Sequence, residues 1–168
     1  AQAVAPLLGD FDASVVVSPD AGRIKVAEQW GNRLGGVPLA FVHKTRDLTR
    51  PNQATANRVV GDVAGRTAII VDDLIDTAGT ICGAVRVVLE AGAKDVIVAA
   101  THGVLSDPAT KRLQESGLRE LVITDTLPIG PEKRFPGMTV LSIAPVLARA
   151  IDEVFEDGSV TSLFAGAY

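Results

Sequence analysis

The residues from Val71 to Thr80 combine two adjacent carboxylates with a short loop of small and hydroxyl-bearing residues. Asp72 and Asp73 end an apolar run that predicts a buried strand over 67–71. Adjacent carboxylates raise each other's pKa unless cations or hydroxyl donors lie nearby. A sugar diol, often with a divalent metal, suits such a pair. The two aspartates therefore predict a diol-binding site.

The loop after the carboxylates has the composition of a phosphate site. Its residues are Asp76, Thr77, Ala78, Gly79 and Thr80. An apolar stripe with helical spacing follows and predicts a helix over Ile81–Ala91. Loop amides and the dipole at a helix N-terminus hold phosphate, and two threonine hydroxyls add hydrogen bonds. The alternative is an ordinary strand-to-helix turn with Asp76 as the N-cap. A phosphate site beside a diol site indicates a sugar phosphate.

A second loop of small residues follows the predicted strand Ser14–Val17. It contains Asp20, Ala21, Gly22 and Arg23, in the run Ser-Pro-Asp-Ala-Gly-Arg. Small residues beside a helix start favour an anion-binding turn, to which Arg23 adds positive charge. Asp20 is a candidate metal ligand, directly or through water, or alternatively a cap of the next helix. Two phosphate-sized sites with ribose between them match a diphosphorylated sugar.

Two further loops follow predicted strands. Lys44, Arg46 and Arg50 lie within the polar segment 43–53. Cations on a flexible loop suit phosphoryl transfer, although a solvated surface loop is the alternative. The other loop spans residues 101–108, and its His102 could contact a base or a phosphate. A histidine whose hydrogen bonds are satisfied within a turn is at least as consistent with the pattern. We therefore assign His102 no catalytic role.

Apolar runs alternate with helical patterns along the chain. The predicted strands are Ser14–Val17, Leu39–Val42, Thr67–Val71, Val96–Ala100, Leu121–Thr124 and Val140–Ile143. The predicted helices are Ile24–Leu34, Ile81–Ala91, Ala109–Ser116 and Val146–Phe155. Short Val/Ile-rich strands between helices indicate a parallel sheet covered on both faces. Ligands in this architecture bind beyond the carboxyl ends of the strands, which is where the loops described above fall.

Composition limits the classes of function. The 168 residues are 47% hydrophobic and 21% charged, as expected for a single globular domain with a sizeable core. A net charge of −4 gives no bulk attraction to nucleic acid or to an anionic membrane. One cysteine, Cys82, excludes an internal disulfide and fits a reducing cytosol. No apolar run approaches the length that spans a membrane, and no charged-then-apolar stretch opens the sequence, so we expect neither a spanning helix nor a signal peptide.

The motifs together resemble the ribose-phosphate pyrophosphokinase (PRPP synthetase) family, within the phosphoribosyltransferase superfamily. The resemblance rests on Ser-Pro-Asp-Ala-Gly at 18–22, Lys-Thr-Arg at 44–46, Gly-Asp-Val-Ala-Gly-Arg at 61–66, the run 71–80, Ala-Thr-His-Gly at 100–103 and Gly-Ser-Val-Thr-Ser-Leu-Phe at 158–164. It implies an α/β fold in three layers, a phosphoribosyltransferase-like domain with a mainly parallel central sheet flanked by helices. It also implies that residues 1–168 are one such domain, the C-terminal half of a two-domain enzyme. The other half supplies most of the ATP site in that family, so we expect this chain alone to be inactive or weakly active.

The resemblance assigns roles to matching residues. Asp76, Thr77, Ala78, Gly79 and Thr80 would hold the 5-phosphate of ribose 5-phosphate, with Arg46 nearby. Asp72 and Asp73 would bind ribose hydroxyls, Asp20 to Arg23 would form the pyrophosphate loop, and Asp20 and Asp72 would be metal ligands. Lys44 and Arg46 would be the catalytic cations. This chain departs from the family pattern at Arg23, where a second glycine is usual, and at His43 and Thr45.

The activity implied is transfer of a diphosphoryl group from ATP to ribose 5-phosphate, giving AMP and PRPP for nucleotide biosynthesis, with Mg²⁺ as cofactor. The alternatives are a nucleobase phosphoribosyltransferase that consumes PRPP and a non-catalytic regulatory subunit. The resemblance further implies a cytoplasmic homo-oligomer, in which dimers assemble into a hexamer. Ribose 5-phosphate and ATP would be its partners, without nucleic acid or membrane.

Overall fold

Strands and helices alternate along the part of the chain that the computed structural model describes, residues 13–45 and 56–164. The strands are Ser14–Ser18 (β1), Leu39–Thr45 (β2), Ala56–Val60 (β3), Thr67–Ile75 (β4), Asp95–Gly103 (β5), Glu120–Thr124 (β6) and Met138–Leu141 (β7). The α-helices are Ile24–Arg33 (α1), Gly79–Glu90 (α2), Ala109–Glu115 (α3) and Ala144–Phe155 (α4), and short 3₁₀ helices span Ala21–Arg23, Pro131–Lys133 and Val160–Phe164. All six predicted strands and all four predicted helices are present.

The strands form one sheet in the order β3-β2-β1-β4-β5-β6-β7. Neighbouring strands are parallel except for β2 and β3, which confirms the mainly parallel sheet. Because β1 lies between β2 and β4, the chain first extends the sheet on one side of β1 and then on the other. The loops that follow β1 and β4 therefore diverge, and a crevice opens between them at the carboxyl ends of the strands.

Both faces of the sheet are covered, because the central strands carry continuous apolar runs at 15–17, 68–71 and 96–100 whose side chains are buried on both faces. On one face Ile70 of β4 packs in a core that includes Val85 of α2. On the other face its neighbour Ile69 packs in a core that includes Ala27 of α1. Ile69 and Ile70 are fully buried, and each such side chain contributes about 1.5–3 kcal/mol through the hydrophobic effect. The result is a rigid three-layer platform beneath the loops.

The strand β3 was not predicted, and it pairs antiparallel with β2. This strand lies at the edge of the sheet and carries Asn57 and Arg58 between small or apolar residues. An edge strand needs only one hydrogen-bonded neighbour and no apolar run on both faces, so its pattern resembles that of a polar loop. The prediction that residues 43–45 belong to the following loop was also wrong, since they continue β2.

Other differences concern where elements begin and end. The strand predicted at 140–143 is shifted to Met138–Leu141, because Ile143 donates its amide to Asp125 Oδ1 at 2.8 Å instead of to a neighbouring strand. β4 continues to Ile75, so the two adjacent aspartates lie within the strand and not after it. β5 likewise continues through His102 to Gly103.

The helix α4 presents an apolar surface to solvent. We call it the α4 apolar face, and it comprises Val146, Leu147, Ile151, Val154 and Phe155. Their exposed fractions range from 53% at Leu147 to 84% at Phe155. Across the described residues, the helices are too short or too polar to cross a bilayer.

Candidate functional site

A cleft of about 290 Å³ lies at the carboxyl ends of β1 and β4. Its lining comprises Asp20, Arg23, Asp72, Asp73, Leu74, Ile75, Asp76, Thr77, Ala78, Gly79, Thr80 and Ile81. Two of the predicted loops therefore meet in one site, as the parallel sheet required. The residues that meet come from segments about 50 positions apart in the chain, and the strand order β1-β4 brings them together.

The loop from Asp76 to Thr80 turns sharply into α2. Ala78 has φ +60° and ψ +8°, the left-handed conformation, and α2 begins at the next residue, Gly79. Ala78 is the N-cap, so the alternative in which Asp76 caps the helix is wrong, and α2 begins two residues earlier than predicted. No side chain of the described residues caps this end. The first amides of α2 are thus directed at the cleft without a built-in acceptor, which is the arrangement of an anion site.

The two adjacent aspartates share a cation from the other loop. Arg23 Nη2 donates to Asp73 Oδ2 at 2.5 Å, and Arg23 Nε lies 3.5 Å from Asp72 Oδ1. Asp72 Oδ1 also accepts a hydrogen bond of 2.9 Å from the amide of Asp73. Asp72 is the more enclosed carboxylate, with 14% of its side chain exposed against 52% for Asp73. The cleft therefore holds a carboxylate pair bridged by one guanidinium.

Burial and charge move the pKa values of the pair in opposite directions. Burial raises the pKa of Asp72, and the neighbouring charge of Asp73 adds to the rise. At Asp73 slight burial also favours a higher pKa, but the hydrogen bond with Asp72 and the charge of Arg23 outweigh it, so the pKa of Asp73 is lowered. The sequence predicted that each aspartate would raise the pKa of the other. Only the pKa of Asp72 is raised, because the hydrogen bond with Asp72 and the cation of Arg23 lower that of Asp73.

Asp20 forms the turn that was considered as the alternative to a ligand site. Its Oδ1 accepts a hydrogen bond from the amide of Gly22 at 2.8 Å and caps the 3₁₀ helix Ala21–Arg23. A side chain at Gly22 would begin 3.2 Å from this oxygen, so the small residue keeps the turn tight. Asp20 nevertheless lines the cleft, and a carboxylate has two oxygens. Capping and ligand binding are compatible at this residue.

The two predicted catalytic cations are not part of the described cleft. The backbone of Lys44 lies in β2 opposite Asn57, and its side chain falls outside the description. Arg46 lies outside the described residues altogether. Their roles stay predictions.

His102 has a partner within the fold. Its Nδ1 lies 2.9 Å from Thr126 Oγ1, and Thr126 Oγ1 in turn donates to the carbonyl of Thr101 at 3.2 Å. This network joins β5 to the loop after β6, so His102 has a hydrogen-bond partner within the fold, although the residue lies in a strand and not in a turn. Over residues 13–45 and 56–164, no three histidine, cysteine, aspartate or glutamate side chains converge on one point as a ready-made metal cage.

One residue that touches the phosphate-loop candidate was missed in the sequence. Arg112 of α3 donates from Nη1 to the carbonyl of Thr77 at 3.0 Å, from outside the cleft. The two residues are 35 positions apart, and nothing in the local spacing of α3 marks Arg112 among the other cations of the chain. Only the packing of α3 against α2 reveals the contact.

Comparison with known proteins places this fold in a class. The fold is that of phosphoribosyltransferases: a solved adenine phosphoribosyltransferase from Giardia lamblia superposes with a TM-score of 0.57 at 17% identity, over 73% of this chain and 74% of that one. At this identity the likeness concerns the fold alone. A crystal structure of phosphoribosylpyrophosphate synthetase from Mycobacterium smegmatis is far more similar, with a TM-score of 0.81 and 59% identity over 94% of this chain and 48% of that one.

Sequence comparison identifies the family. Residues 40–165 match the model of the phosphoribosyl synthetase-associated domain. The ribose-phosphate pyrophosphokinase of Bifidobacterium longum is 70% identical over 93% of this chain, and that of Mycobacterium tuberculosis is 66% identical over 90%. The chain belongs to the phosphoribosyl synthetase family. It spans about half the length of these relatives, 46% and 47% respectively.

Proposed function

We propose that this chain provides the ribose 5-phosphate site of a ribose-phosphate pyrophosphokinase. The reaction would convert ATP and ribose 5-phosphate into AMP and PRPP. The observation that carries the proposal is the uncapped start of α2 at Ala78, beside the carboxylates of Asp72 and Asp73 in one cleft. The names of the relatives at 70% and 66% identity support the same assignment. Because those relatives are about twice as long, we assign turnover to the whole-length protein.

Each side of the cleft suits one part of ribose 5-phosphate. The amides at the start of α2 and the hydroxyls of Thr77 and Thr80 would donate to the three terminal phosphate oxygens. The carboxylates of Asp72 and Asp73 accept hydrogen bonds only, so they pair with the ribose hydroxyls, which donate. In this arrangement the sugar lies across the crevice with its phosphate held at one end.

The loop that carries Asp20 and Arg23 would hold the transferred diphosphate. The anomeric hydroxyl oxygen attacks the β-phosphorus of ATP, a new P–O bond forms, and the bond to the α,β-bridging oxygen breaks to release AMP. The proton of the hydroxyl is lost to solvent or to a base. Phosphoryl transfer depends mainly on positioning and charge, so Arg23, Lys44 and Arg46 are proposed to balance the phosphate charge.

The donors of the cleft fit Mg²⁺. This ion binds oxygen, retains several waters, and takes one or two carboxylates together with substrate phosphates, so it needs no ready-made cage. Asp20 and Asp72 are the proposed ligands, and both line the cleft. When bound, the ion would supply positive charge to the phosphate oxygens. The hexamer and the cytoplasmic location also stay predictions.

Isothermal titration of the 168-residue chain with ribose 5-phosphate tests the proposal. We expect binding of ribose 5-phosphate and none of ribose, because the phosphate contributes most of the interaction. Thr80→Val should weaken binding about tenfold, since a hydrogen bond to a charged group is worth about 1.5–3 kcal/mol and 1.4 kcal/mol is a factor of ten.

Thr110→Val on α3 is the matched control, because Thr110 lies outside the lining of the cleft. Equal binding of ribose and ribose 5-phosphate would contradict a phosphate site. Consumption of PRPP that depends on an added nucleobase would instead favour the phosphoribosyltransferase alternative.

A further inference from the structure

A second cavity lies on the outer side of the phosphate-loop candidate. We call it the outer groove; its volume is about 490 Å³, and it is lined by Gly79, Cys82, Gly83, Arg86, Arg112, Glu115 and Ser116. The groove runs between α2 and α3. Gly79 lines both the outer groove and the cleft, so the loop at the start of α2 forms the wall between them.

Arg112 is in contact with the outer side of this wall. Its Nη1 donates to the carbonyl of Thr77 at 3.0 Å. The same nitrogen lies 3.8 Å from the position where a side chain at Gly79 would begin, which is ordinary van der Waals distance. The guanidinium thus lies against the loop at both Thr77 and Gly79.

The bond to Thr77 fixes the direction of a peptide plane. In a trans peptide the carbonyl oxygen and the following N–H point in opposite directions. Because the carbonyl of Thr77 is turned to Arg112 in the outer groove, the amide of Ala78 is turned to the side of the cleft. Ala78 holds a left-handed conformation at φ +60°, which is costly for a residue with a side chain and persists only where the surroundings enforce it. The hydrogen bond from Arg112 is such a constraint.

The second arginine of the groove has no comparable contact. Arg86 lies on α2 and pairs with Glu90 of the same helix, its Nε 3.9 Å from Glu90 Oε1, with 71% of its side chain exposed. It therefore contributes a similar charge to the groove, but its partner is a residue of its own helix and not the loop. The two arginines separate the effect of a local charge from the effect of the bond to Thr77.

We propose that Arg112 is a positioning residue for phosphate binding, acting through the carbonyl of Thr77 to hold the amide of Ala78 toward the cleft. It touches neither phosphate nor sugar and works from outside the site. The inference rests on the proposed phosphate site, since a positioned amide has a use only if an anion binds there.

Titration of the full chain with ribose 5-phosphate tests the proposal. Arg112→Ala should weaken binding about tenfold, while the free energy of unfolding measured in urea changes little, because one partly exposed hydrogen bond contributes little to stability. Arg112→Lys, which keeps a donor of similar reach, should recover part of the affinity. Arg86→Ala should bind as tightly as the wild type.

The amide resonance of Ala78, followed by ¹⁵N NMR without ligand, gives a second readout. Its chemical shift and its rate of hydrogen exchange should change in Arg112→Ala and stay unchanged in Arg86→Ala. An unchanged Ala78 amide in Arg112→Ala would overturn the positioning role, as would equal losses of affinity in the two arginine variants. If the wild type fails to bind ribose 5-phosphate, the proposed phosphate site fails, and the NMR comparison still decides whether Arg112 orients the loop.

Discussion

Arg23 stands between the two carboxylates that we assign to the sugar. The guanidinium contacts Asp73 at 2.5 Å and Asp72 at 3.5 Å. It thus acts as the counter-cation of the carboxylate pair. A diol or a metal ion that binds the carboxylates must compete with it, after which Arg23 becomes available to phosphate oxygens.

We predict that Arg23→Gln tightens Mg²⁺ binding to the chain about two- to fivefold in the absence of substrate. An exposed ion pair contributes about 0.2–1 kcal/mol after screening by solvent, and 1.4 kcal/mol is a factor of ten in affinity. Loss of the guanidinium therefore frees the carboxylates for another cation. Isothermal titration with MgCl₂ measures the change.

Arg119→Gln is a close control for that experiment. Arg119 pairs with Asp95 at 2.6 Å, and its exposed fraction of 38% equals that of Arg23, but the pair lies at the opposite end of β5 from the cleft. Tighter Mg²⁺ binding in both variants would show a general effect of net charge. An unchanged affinity in Arg23→Gln would refute the counter-cation role.

The end of β6 and the start of α4 are connected through Asp125. Its Oδ1 accepts the amide of Ile143, the N-cap residue of α4, at 2.8 Å. This hydrogen bond, followed by one from the hydroxyl of Ser142, lowers the pKa of Asp125. A lowered pKa means that the ionised carboxylate stabilises the folded state at pH values above 3.8, the ordinary pKa of aspartate. This stabilisation is lost as the pH falls through the lower pKa that Asp125 has in the folded state.

We predict that Asp125→Asn lowers the free energy of unfolding at neutral pH and that the deficit fades as the pH falls below 3.8. Asparagine keeps an acceptor but loses the charge, and a charge-assisted bond is the stronger one. Urea unfolding over a series of pH values measures the difference. Asp152→Asn, an exposed carboxylate on α4, serves as the control. A deficit that stays constant across the series would contradict the role assigned to the charge.

At the scale of the whole molecule, stability and exposed apolar surface lie in different places. The cores on both faces of the sheet contain the fully buried side chains, such as Ile97 of β5. The α4 apolar face contributes no buried residue. Since hydrophobic stabilisation follows the area removed from water, this face adds little to the folding of the described chain.

We predict that Phe155→Ser changes the free energy of unfolding by less than about 0.5 kcal/mol, as is usual for exposed positions. Ile97→Ala should cost about 2–5 kcal/mol, because it leaves a cavity in a packed core. Urea unfolding of both variants makes the comparison. If Phe155→Ser lowered the free energy of unfolding by more than about 2 kcal/mol, α4 would pack on the domain more tightly than the 84% exposed fraction of Phe155 indicates.

Local sequence patterns were enough to predict the alternating elements and most of the residues that line the cleft. Apolar periodicity is a local property, so strands and helices such as β1, β4 and α1 were predictable from their own residues. The candidate site in the run 71–80 was equally predictable. Its carboxylates and its loop are neighbours in the sequence, and a parallel sheet places them at one edge. Local periodicity failed at β3, a polar edge strand, and at β7, where a side chain of another segment takes the amide of Ile143.

The contacts between the predicted parts depend on the three-dimensional packing of the elements. Arg23 reaches Asp73 across 50 residues, and Arg112 reaches Thr77 across 35. These contacts exist because the strand order places β1 beside β4 and because α3 packs against α2. The spacing of residues in the sequence does not predict such contacts, because the partner of a side chain from a distant segment depends on how whole elements pack. Local sequence therefore named most side chains that line the cleft, whereas their contacts with one another and with Arg112 were set by the fold.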